Sequence, residues 1–425
     1  MKKLFIRTYG CTLNQSDSEL MEALLVDKGN QLAPEDDADI IIVNTCAVKE
    51  TTENKILHYL KKLDGAGKKI IVAGCLPVQN FPGVKRAAPH AMGYIGPNSF
   101  QKIPEIISGS TASGSKFLGG DFSSKFGILP SHKSLVAKIQ VSSGCMSNCA
   151  FCATKIARGK FRSKPLALIM EEAKLAIRNG AKELQLASQD NGCYGFDLKT
   201  SMPELLNELN ALDGRFRIRA GMANPQHLLK NLDEWVEAFS LPKVYKFLHL
   251  PLQSGSSRIL REMRRGYSVE EAEVVALEFR NKIPDLTLAT DMIVGFPTET
   301  EGEFEESLEI CWKLAFDVVN FSKYSRRKNT AAWGMRQLKS QVIKERAELM
   351  NKVAKEIALH QNRRYLGRGF DVLITEKAKG GYMQGRSINY KAVLIPEKRN
   401  GGRVEIGQFA AAEIKSASVT SLIAE

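Results

Sequence analysis

The stretch "GCMSNCAFC" (residues 144–152) places Cys145, Cys149 and Cys152 within eight residues, directly after the strand-like run "KIQVSS". Three thiolates can hold three irons of a four-iron, four-sulfur cluster, which leaves the fourth iron open to a small molecule. Structural zinc needs four ligands, and the closest histidine, His132, lies in an upstream loop. Electron-transfer clusters also use four cysteines. The spacing therefore predicts an iron–sulfur cluster with one open position.

A repeating strand–helix pattern surrounds this loop. We predict strands at 136–141, 183–187, 215–220, 244–250, 286–294 and 318–322, with helical patterns between them. Six strands fall short of the eight in a complete barrel, so a partial, open-sided (β/α)6 barrel is expected. The cysteine loop follows the first of these strands, at the end where barrel enzymes place their active sites.

The first 108 residues also alternate strand and helix, which predicts a Rossmann-like parallel sheet in an α/β fold. Cys11, Cys46 and Cys75 each follow a predicted strand, in "LFIRTYGC", "DIIIVNTC" and "KIIVAGC". The carboxyl ends of parallel strands share one edge, so these thiols should converge. The alternative is three inert cysteines. Three soft ligands at one edge favour a second iron–sulfur cluster, again with an open iron.

Composition divides the rest of the chain. We predict an N-terminal domain over 1–108, a linker over 109–130, the barrel over 131–335, a connecting helix over 336–367 and a small all-β barrel over 368–425. The linker prediction rests on ten Gly or Ser among residues 109–127. In the first domain, "SDSELMEALLVDKG" predicts a helix with Ser16 as its N-cap.

The net charge of +13 is concentrated in the last quarter, where residues 320–425 hold 21 Lys and Arg against 9 Asp and Glu. Such a bias predicts a polyanion partner, namely nucleic acid, and the alternative is a solvated basic surface. No apolar run approaches the length of a membrane span, and the N-terminus lacks a signal peptide pattern. A cytoplasmic protein without a membrane partner is expected.

The pattern C-x3-C-x-aromatic-C, with Phe151 before the last cysteine, resembles the radical S-adenosylmethionine (SAM) signature. That resemblance implies that SAM chelates the open iron. One electron from the cluster would then cleave SAM and generate a 5′-deoxyadenosyl radical.

The combination of this triad with "TYGCTLNQSDSE", "VNTCAVKETTENK" and "VAGCLP" resembles the methylthiotransferase family. The segments "HLPLQSGSSRILREMRRGYS" and "DMIVGFPTETEGEF" resemble its barrel, and "GYMQGRSINYKAVLI" resembles the RNA-binding TRAM domain. The family implies two [4Fe–4S] clusters held by the six cysteines. The auxiliary cluster carries the sulfur, first methylated by one SAM, and a second SAM supplies the radical. An electron donor such as a flavodoxin or ferredoxin, and a sulfur donor, are implied as partners.

Two further segments, "TKIARGKFRSKP" (154–165) and "LASQDNGCYGFD" (186–197), resemble the archaeal and eukaryotic branch. That branch adds a methylthio group to C2 of N6-threonylcarbamoyladenosine (t6A) at position 37 of tRNA, in the anticodon loop. Alternatives within the family are isopentenyladenosine of tRNA and an aspartate of a ribosomal protein. A non-catalytic, metal-containing RNA-binding protein is the alternative from another class.

Several other residues are candidate contacts. Five residues are predicted to lie near SAM, from their position after barrel strands or from the family resemblance: Gln189, Asp190, Arg219, Gln253 and Gly295. Arg219 is also a candidate to neutralise a carboxylate of SAM or of the substrate. Candidate contacts to phosphate or to the substrate's carboxylate are Arg158, Lys160, Arg162 and Lys164, and Arg386 is a candidate for phosphate or base. The alternatives are ordinary turns and a solvated basic loop. Cys193 and Cys311 stand alone and are predicted to be buried side chains.

Overall fold

The computed structural model describes residues 1–399 and 402–425. Its N-terminal domain contains a six-stranded, fully parallel sheet with the order β2-β1-β3-β4-β5-β6. The strands are β1 Lys3–Thr8, β2 Gln31–Leu32, β3 Ile40–Thr45, β4 Ile70–Gly74, β5 Gly93–Ile95 and β6 Ser115–Phe117. The helices are α1 Thr12–Asp27, α2 Glu50–Gly65, α3 Cys75–Gln79, α4 Phe81–Ala87 and α5 Ile103–Ile107. Apolar side chains fill both faces of the sheet, as the parallel pattern predicts.

The glycine- and serine-rich segment 109–130 differs from the expected linker. It contains strand β6, which extends the sheet, and a 3₁₀ turn over Phe122–Lys125. Lys125 is buried there and forms an ion pair of 2.5 Å with Asp17 of α1. Gly114 and Gly120 have positive φ, so the glycines shape turns in an ordered segment.

The central domain is a partial barrel of six parallel strands. Residues Val136–Gln140 (β7) begin it, and the hairpin of β8 (Ser142–Ser143) with β9 (Arg162–Ser163) frames the cysteine loop. The other strands are β10 Glu183–Ala187, β11 Arg217–Arg219, β12 Phe247–His249, β13 Thr287–Val294 and β14 Val318–Lys323. They form the sheets β11-β10-β7 and β12-β13-β14, joined by a bridge between Ile218 and Val244. Strands β7 and β14 are therefore the two edges of the barrel.

Helices cover the outside of this barrel and enclose its apolar core. They are α6 Thr154–Arg158, α7 Leu166–Arg178, α8 Met202–Ala211, α9 Pro225–Leu228, α10 Leu232–Ser240, α11 Ser257–Glu262, α12 Val269–Lys282 and α13 Glu301–Lys313. The long helix α14, Ser340–Arg363, packs against β14 and leads to the last domain.

The N-terminal domain closes the open side between the two barrel edges. At β7, the Ser16 hydroxyl donates to the Lys138 carbonyl at 2.7 Å, and the Gln140 amide donates to Asp17 at 2.6 Å. Beyond β14, the Gln79 amide donates to the Lys328 carbonyl at 2.7 Å. The first domain thus forms one wall of the barrel.

The C-terminal domain is a closed five-stranded barrel in the order β15-β16-β17-β21-β20. The strands are β15 Gly369–Lys377, β16 Tyr382–Arg386, β17 Ala392–Pro396, β18 Lys398–Arg399, β19 Gly402–Arg403, β20 Phe409–Ala417 and β21 Leu422–Ala424, with β18 and β19 paired as a separate hairpin. Within the described ranges, no helix is both long enough and apolar enough to cross a membrane.

A loop of this small barrel, residues 387–391, docks against the amino ends of the central strands. The Tyr390 ring lies 4.8 Å from the Tyr245 ring, and Lys391 forms an ion pair of 2.7 Å with Asp317. The loop therefore ties the C-terminal domain to the end of the central barrel opposite the cysteine loop.

Candidate active site

The structure brings Cys11, Cys46 and Cys75 to one edge of the N-terminal sheet. They follow the adjacent strands β1, β3 and β4 at their carboxyl ends. Asn14 links the three positions: its amide donates to the carbonyls of Tyr9 at 2.8 Å and Thr45 at 2.9 Å, and its oxygen lies 3.9 Å from the Cys75 sulfur. The arrangement is a cradle of three thiols around one asparagine.

Gly10 allows the backbone to approach this cradle closely. Its φ is +105°, and a Cβ there would lie 2.7 Å from the Cys46 Cβ and 2.9 Å from its sulfur. Any side chain at this position would displace Cys46. The cysteines could be identified from the sequence. The requirement for glycine at position 10 is visible only from its contact with Cys46 in the structure.

Arg158 lies beneath the cradle. Its guanidinium is buried, pairs with Asp17 at 2.6 Å and donates to the Asn14 oxygen at 2.5 Å. Burial alone would raise the pKa of Asp17, but Arg158 and Lys125 lower it on balance. Burial lowers the pKa of Lys125 to about 8, although Asp17 opposes this. Two cationic side chains therefore surround one carboxylate below the thiols.

The predicted RNA-contacting role of Arg158 does not match this position, since a guanidinium that is 1% exposed cannot reach a phosphate. Lys164 is likewise buried, against Glu172. Charge in a sequence does not show burial, and here the two domains meet over both side chains. Lys160 and Arg162 remain exposed, and Arg162 lies 3.2 Å from Asp121.

The second cysteine set lies in the loop after β7. Gly144, with φ of +80°, turns the chain so closely past the Lys160 carbonyl that a Cβ would lie 2.3 Å from its oxygen. The loop is anchored by a hydrogen bond of 2.8 Å from the Ala150 amide to the Met263 carbonyl. Arg265 donates to the Cys149 sulfur at 3.0 Å. Arg265 was not predicted from the sequence, although it lies in the segment "HLPLQSGSSRILREMRRGYS" that resembles the family's barrel.

In each cysteine set, burial favours the protonated form of two thiols when no metal is bound. Burial raises the pKa of Cys46 and of Cys145 to about 11 and also raises that of Cys75 and Cys149. Metal binding has to displace those protons, and Arg158 and Arg265 supply compensating positive charge. These donor sets fit iron–sulfur clusters.

A cavity of about 740 Å³ lies at the carboxyl ends of the barrel strands, and its lining includes residues close in sequence to Cys46 and Cys152. Residues 48–51, which follow Cys46, form one side, and Phe151, which precedes Cys152, forms another. The carboxyl ends of the barrel strands complete it with Gln253, Asp291–Ile293, Asn320–Ser325 and Arg327, and α14 contributes Ser340 and Ile343. The cavity is therefore bordered by the segment after Cys46 and by Phe151 of the Cys145–Cys152 loop.

The predicted SAM-contacting residues occupy different surroundings. Gln253 lines the cavity with an unusual positive φ of 76°. Gln189 follows β10, and its buried side-chain oxygen has no partner within the described residues. The carboxylate of Asp190 is fully buried and accepts backbone amides from Gly192 at 3.0 Å and Asn224 at 3.1 Å. His227 and Cys193 lie beside Asp190.

Gly295 and Arg219 contact other parts of the protein, and their proximity to SAM stays a prediction. A Cβ on Gly295 would lie 2.6 Å from Ile343, so this glycine permits the approach of α14. The Arg219 guanidinium lies over the rings of Phe247 and Tyr390, at 5.1 and 5.0 Å. Neither contact involves the cysteine loops.

Arg386, the predicted RNA contact of the last domain, is half-buried on β16. Its guanidinium lies 4.9 Å from the centre of the Tyr390 ring.

The two isolated cysteines, Cys193 and Cys311, are fully buried, as predicted.

Three family profiles match the chain. The profile described as Uncharacterized protein family UPF0004 covers residues 3–96, the Radical SAM superfamily covers 139–311, and the TRAM domain covers 363–425. These matches confirm the predicted order of an N-terminal α/β domain, a radical SAM barrel and a TRAM barrel. A radical SAM domain implies SAM and a [4Fe–4S] cluster.

Solved structures show the same fold. The radical SAM methyltransferase TsrM from Kitasatospora setae, with tryptophan and a SAM analog bound, is 13% identical. It superposes with a TM-score of 0.57, covering 78% of this chain and 75% of that chain. The cobalamin-dependent SAM radical enzyme OxsB is 12% identical with a TM-score of 0.54, covering 84% of this chain and 56% of that chain.

Relatives match along the whole chain. A protein of Pyrococcus abyssi named "Probable threonylcarbamoyladenosine tRNA methylthiotransferase" is 40% identical over 100% of this chain and 99% of its own length. The "Threonylcarbamoyladenosine tRNA methylthiotransferase" of Drosophila melanogaster is 33% identical over 100% of this chain and 77% of its own. The human protein of the same name is 31% identical over 93% and 70%. The chain belongs to the family of threonylcarbamoyladenosine tRNA methylthiotransferases, a family of radical SAM enzymes.

Proposed function

We propose that this protein transfers a methylthio group to C2 of t6A at position 37 of tRNA. The observation that carries the proposal is the cavity lined by residues next to one cysteine of each set, Cys46 and Cys152, because this reaction needs a radical source and a sulfur source at one adenine. The family names of the relatives and the TRAM match support a tRNA substrate.

Each cysteine set is assigned one [4Fe–4S] cluster. Cys145, Cys149 and Cys152 would hold the cluster that binds SAM, and Cys11, Cys46 and Cys75 would hold the auxiliary one. When bound, these groups supply the 5′-deoxyadenosyl radical and the transferable sulfur. Asn14 and Gly10 keep the auxiliary thiols together, and Arg158 supplies positive charge beneath them.

The walls of the cavity would position the substrate and exclude water. Phe151, Met292 and Phe321 offer apolar surface to a purine, and Gln253 offers an amide to SAM or to the base. Lys49 and Lys323 are exposed basic side chains in the lining. The lining also contains the carboxylates of Glu50 and Asp291, and the charge of Lys49 acts on Asp291. Lys323 is therefore the lysine proposed to pair with the carboxylate of the threonyl group of t6A, which isopentenyladenosine lacks.

Other parts of the proposal rest on family resemblance. They are reduction by a flavodoxin or ferredoxin and sulfur from a separate donor. Action in the cytoplasm is proposed because the relatives are named for a tRNA substrate. Strand β6 pairs with β5 of the first sheet, and Lys125 forms a buried ion pair with Asp17 of the first domain. We therefore also propose that the N-terminal domain extends through residue 125.

Cysteine substitutions would test the two-cluster assignment. We expect about eight irons and eight sulfides per chain in anaerobically reconstituted protein, and about four of each in Cys149→Ala or Cys46→Ala. Cys149→Ala should abolish SAM cleavage. Cys46→Ala should still form 5′-deoxyadenosine but no methylthio product. The matched control is Cys311→Ala, which removes an isolated buried thiol and should keep all eight irons.

Mass spectrometry of tRNA nucleosides from cells with and without the protein identifies the substrate. Loss of the methylthio form of t6A alone is expected. Loss of the isopentenyl derivative would assign the substrate differently, and full product from Cys46→Ala would contradict the proposed sulfur source.

A further inference from the structure

A strongly basic segment lies between β14 and α14, at the border of the cavity. Residues 323–339 contain six Lys or Arg and no Asp or Glu. Four of its first five residues, Lys323, Tyr324, Ser325 and Arg327, line the cavity. Its other cationic side chains are exposed, so the segment adds positive charge to the surface that continues from this part of the lining.

This basic segment is anchored to both sides of the active site. The Ala332 amide donates to the Ala150 carbonyl of the cysteine loop at 2.8 Å, and the Tyr324 hydroxyl donates to the Ala332 carbonyl at 3.1 Å. On the other side, Arg327 forms an ion pair with Glu53, and the Lys328 carbonyl accepts a hydrogen bond from the Gln79 side-chain amide. The backbone between these contacts is therefore fixed relative to both cysteine sets.

Trp333 is displayed by this fixed backbone. Its side chain follows Ala332, the residue bonded to the cysteine loop, yet it is 39% exposed. The Arg326 guanidinium lies 4.9 Å from the ring centre and donates to the Trp333 carbonyl at 3.0 and 2.7 Å. An indole that is partly exposed and contacts an arginine keeps ring surface available to a ligand.

We propose that Trp333, held by Arg326, is a stacking platform for an unpaired nucleobase that flanks the target adenosine in the anticodon loop. The inference rests on the proposed tRNA substrate. Unpaired RNA bases stack on aromatic rings and on arginine planes, and basic side chains follow the phosphates. Lys328, Arg336 and Lys339 are exposed cations of the segment that lie outside the cavity lining, and they are available for those phosphates.

Binding of a t6A-containing anticodon stem-loop to the reconstituted enzyme tests this platform. We expect Trp333→Ala to weaken binding roughly tenfold or more, because base stacking on an aromatic ring is lost. Trp333→Phe should retain most of the affinity. The matched control is Trp312→Ala, since Trp312 is also exposed, at 44%, but lies on α13. It should bind like the unmodified protein.

The salt dependence separates stacking from general charge. Trp333→Ala should leave the slope of log affinity against log salt unchanged, whereas Arg336→Ala should reduce its magnitude by roughly one phosphate contact. In the Trp312→Phe background, the stem-loop should quench the fluorescence of Trp333, while the buried Trp235 remains shielded. This signal does not depend on a destabilised variant.

Wild-type affinity in Trp333→Ala, or stem-loop binding without quenching in Trp312→Phe, would overturn the platform. If those variants bind and modify tRNA normally, the proposed function stands without it. If the unmodified enzyme binds no stem-loop, the tRNA function itself fails.

Discussion

Arg158 shows how one residue can connect the two domains chemically. It belongs to α6, just after the Cys145–Cys152 loop, but its guanidinium reaches Asn14 and Asp17 in the first domain. A buried cation is unfavourable unless anions face it, and one carboxylate faces two cations here. Thiolates of a bound cluster would supply the missing negative charge.

Arg158→Gln is therefore expected to impair the auxiliary site. Removing one partner of a buried ion pair costs about 3–5 kcal/mol. We expect the iron content to fall from about eight towards about four per chain and the melting temperature to fall. Arg162→Gln, an exposed neighbour, is the control and should keep both values. Eight irons and an unchanged melting temperature in Arg158→Gln would contradict the role given to Arg158.

At the scale of single elements, the start of α13 shows a complete local signal. Thr300 and Glu303 form a capping box, and Arg258 of α11 adds two hydrogen bonds to the Glu303 carboxylate, at 2.5 and 2.7 Å. The hydrogen bonds from Arg258 are the largest cause that lowers the pKa of Glu303, from 4.5 to about 2. The helix start and the contact between helices depend on the same charge.

This pKa predicts an acid-dependent stability. Because the folded-state pKa lies below the unfolded one, the stabilisation is present above about pH 4.5 and is lost as the pH falls towards 2. Glu303→Gln should cost about 1 kcal/mol at neutral pH, after allowance for the solvent around Arg258, and should flatten the stability profile between pH 4.5 and 3. Urea unfolding of the metal-free protein across this range measures it. An unchanged profile would exclude the pair as a source of stability.

Elements were predictable where the signal is local or periodic. All six barrel strands lie where the apolar runs predicted them, because buried parallel strands have few alternative readings. The predicted N-cap Ser16 was wrong: α1 begins at Thr12, and the Ser16 hydroxyl bonds β7 instead. The ordered strand β6 and the burial of Arg158 also depend on contacts between distant segments, which composition does not encode.

At the scale of the whole molecule, the loop 387–391 joins the C-terminal barrel to the central one. Tyr390, with a positive φ of 61°, places its ring between Tyr245 and Phe247 and near Arg219. The Lys246 amide also donates to the Ile388 carbonyl at 2.8 Å. These contacts fix the orientation of the TRAM domain relative to the cavity.

Tyr390→Ala should loosen that attachment. Loss of the aromatic contacts is expected to cost about 2–3 kcal/mol and to increase amide exchange in residues 369–396. Affinity for tRNA should fall, whereas SAM cleavage with a chemical reductant should stay near normal, because Tyr390 is remote from the cysteine loops. Tyr382→Ala, on β16, is the control. Equal exchange in both variants would show that the loop does not hold the domain.

The first domain supplies the wall that the open barrel lacks, and this has an evolutionary consequence. Neither half of the chain encloses a reaction space by itself, so recombination cannot transmit the activity as a single module. A first domain from another protein would have to preserve pairs such as Asp17 with Gln140 and Glu53 with Arg327. Without them, the two domains would separate and water would enter the cavity. Residues on the two sides of this seam are therefore expected to change together among descendants.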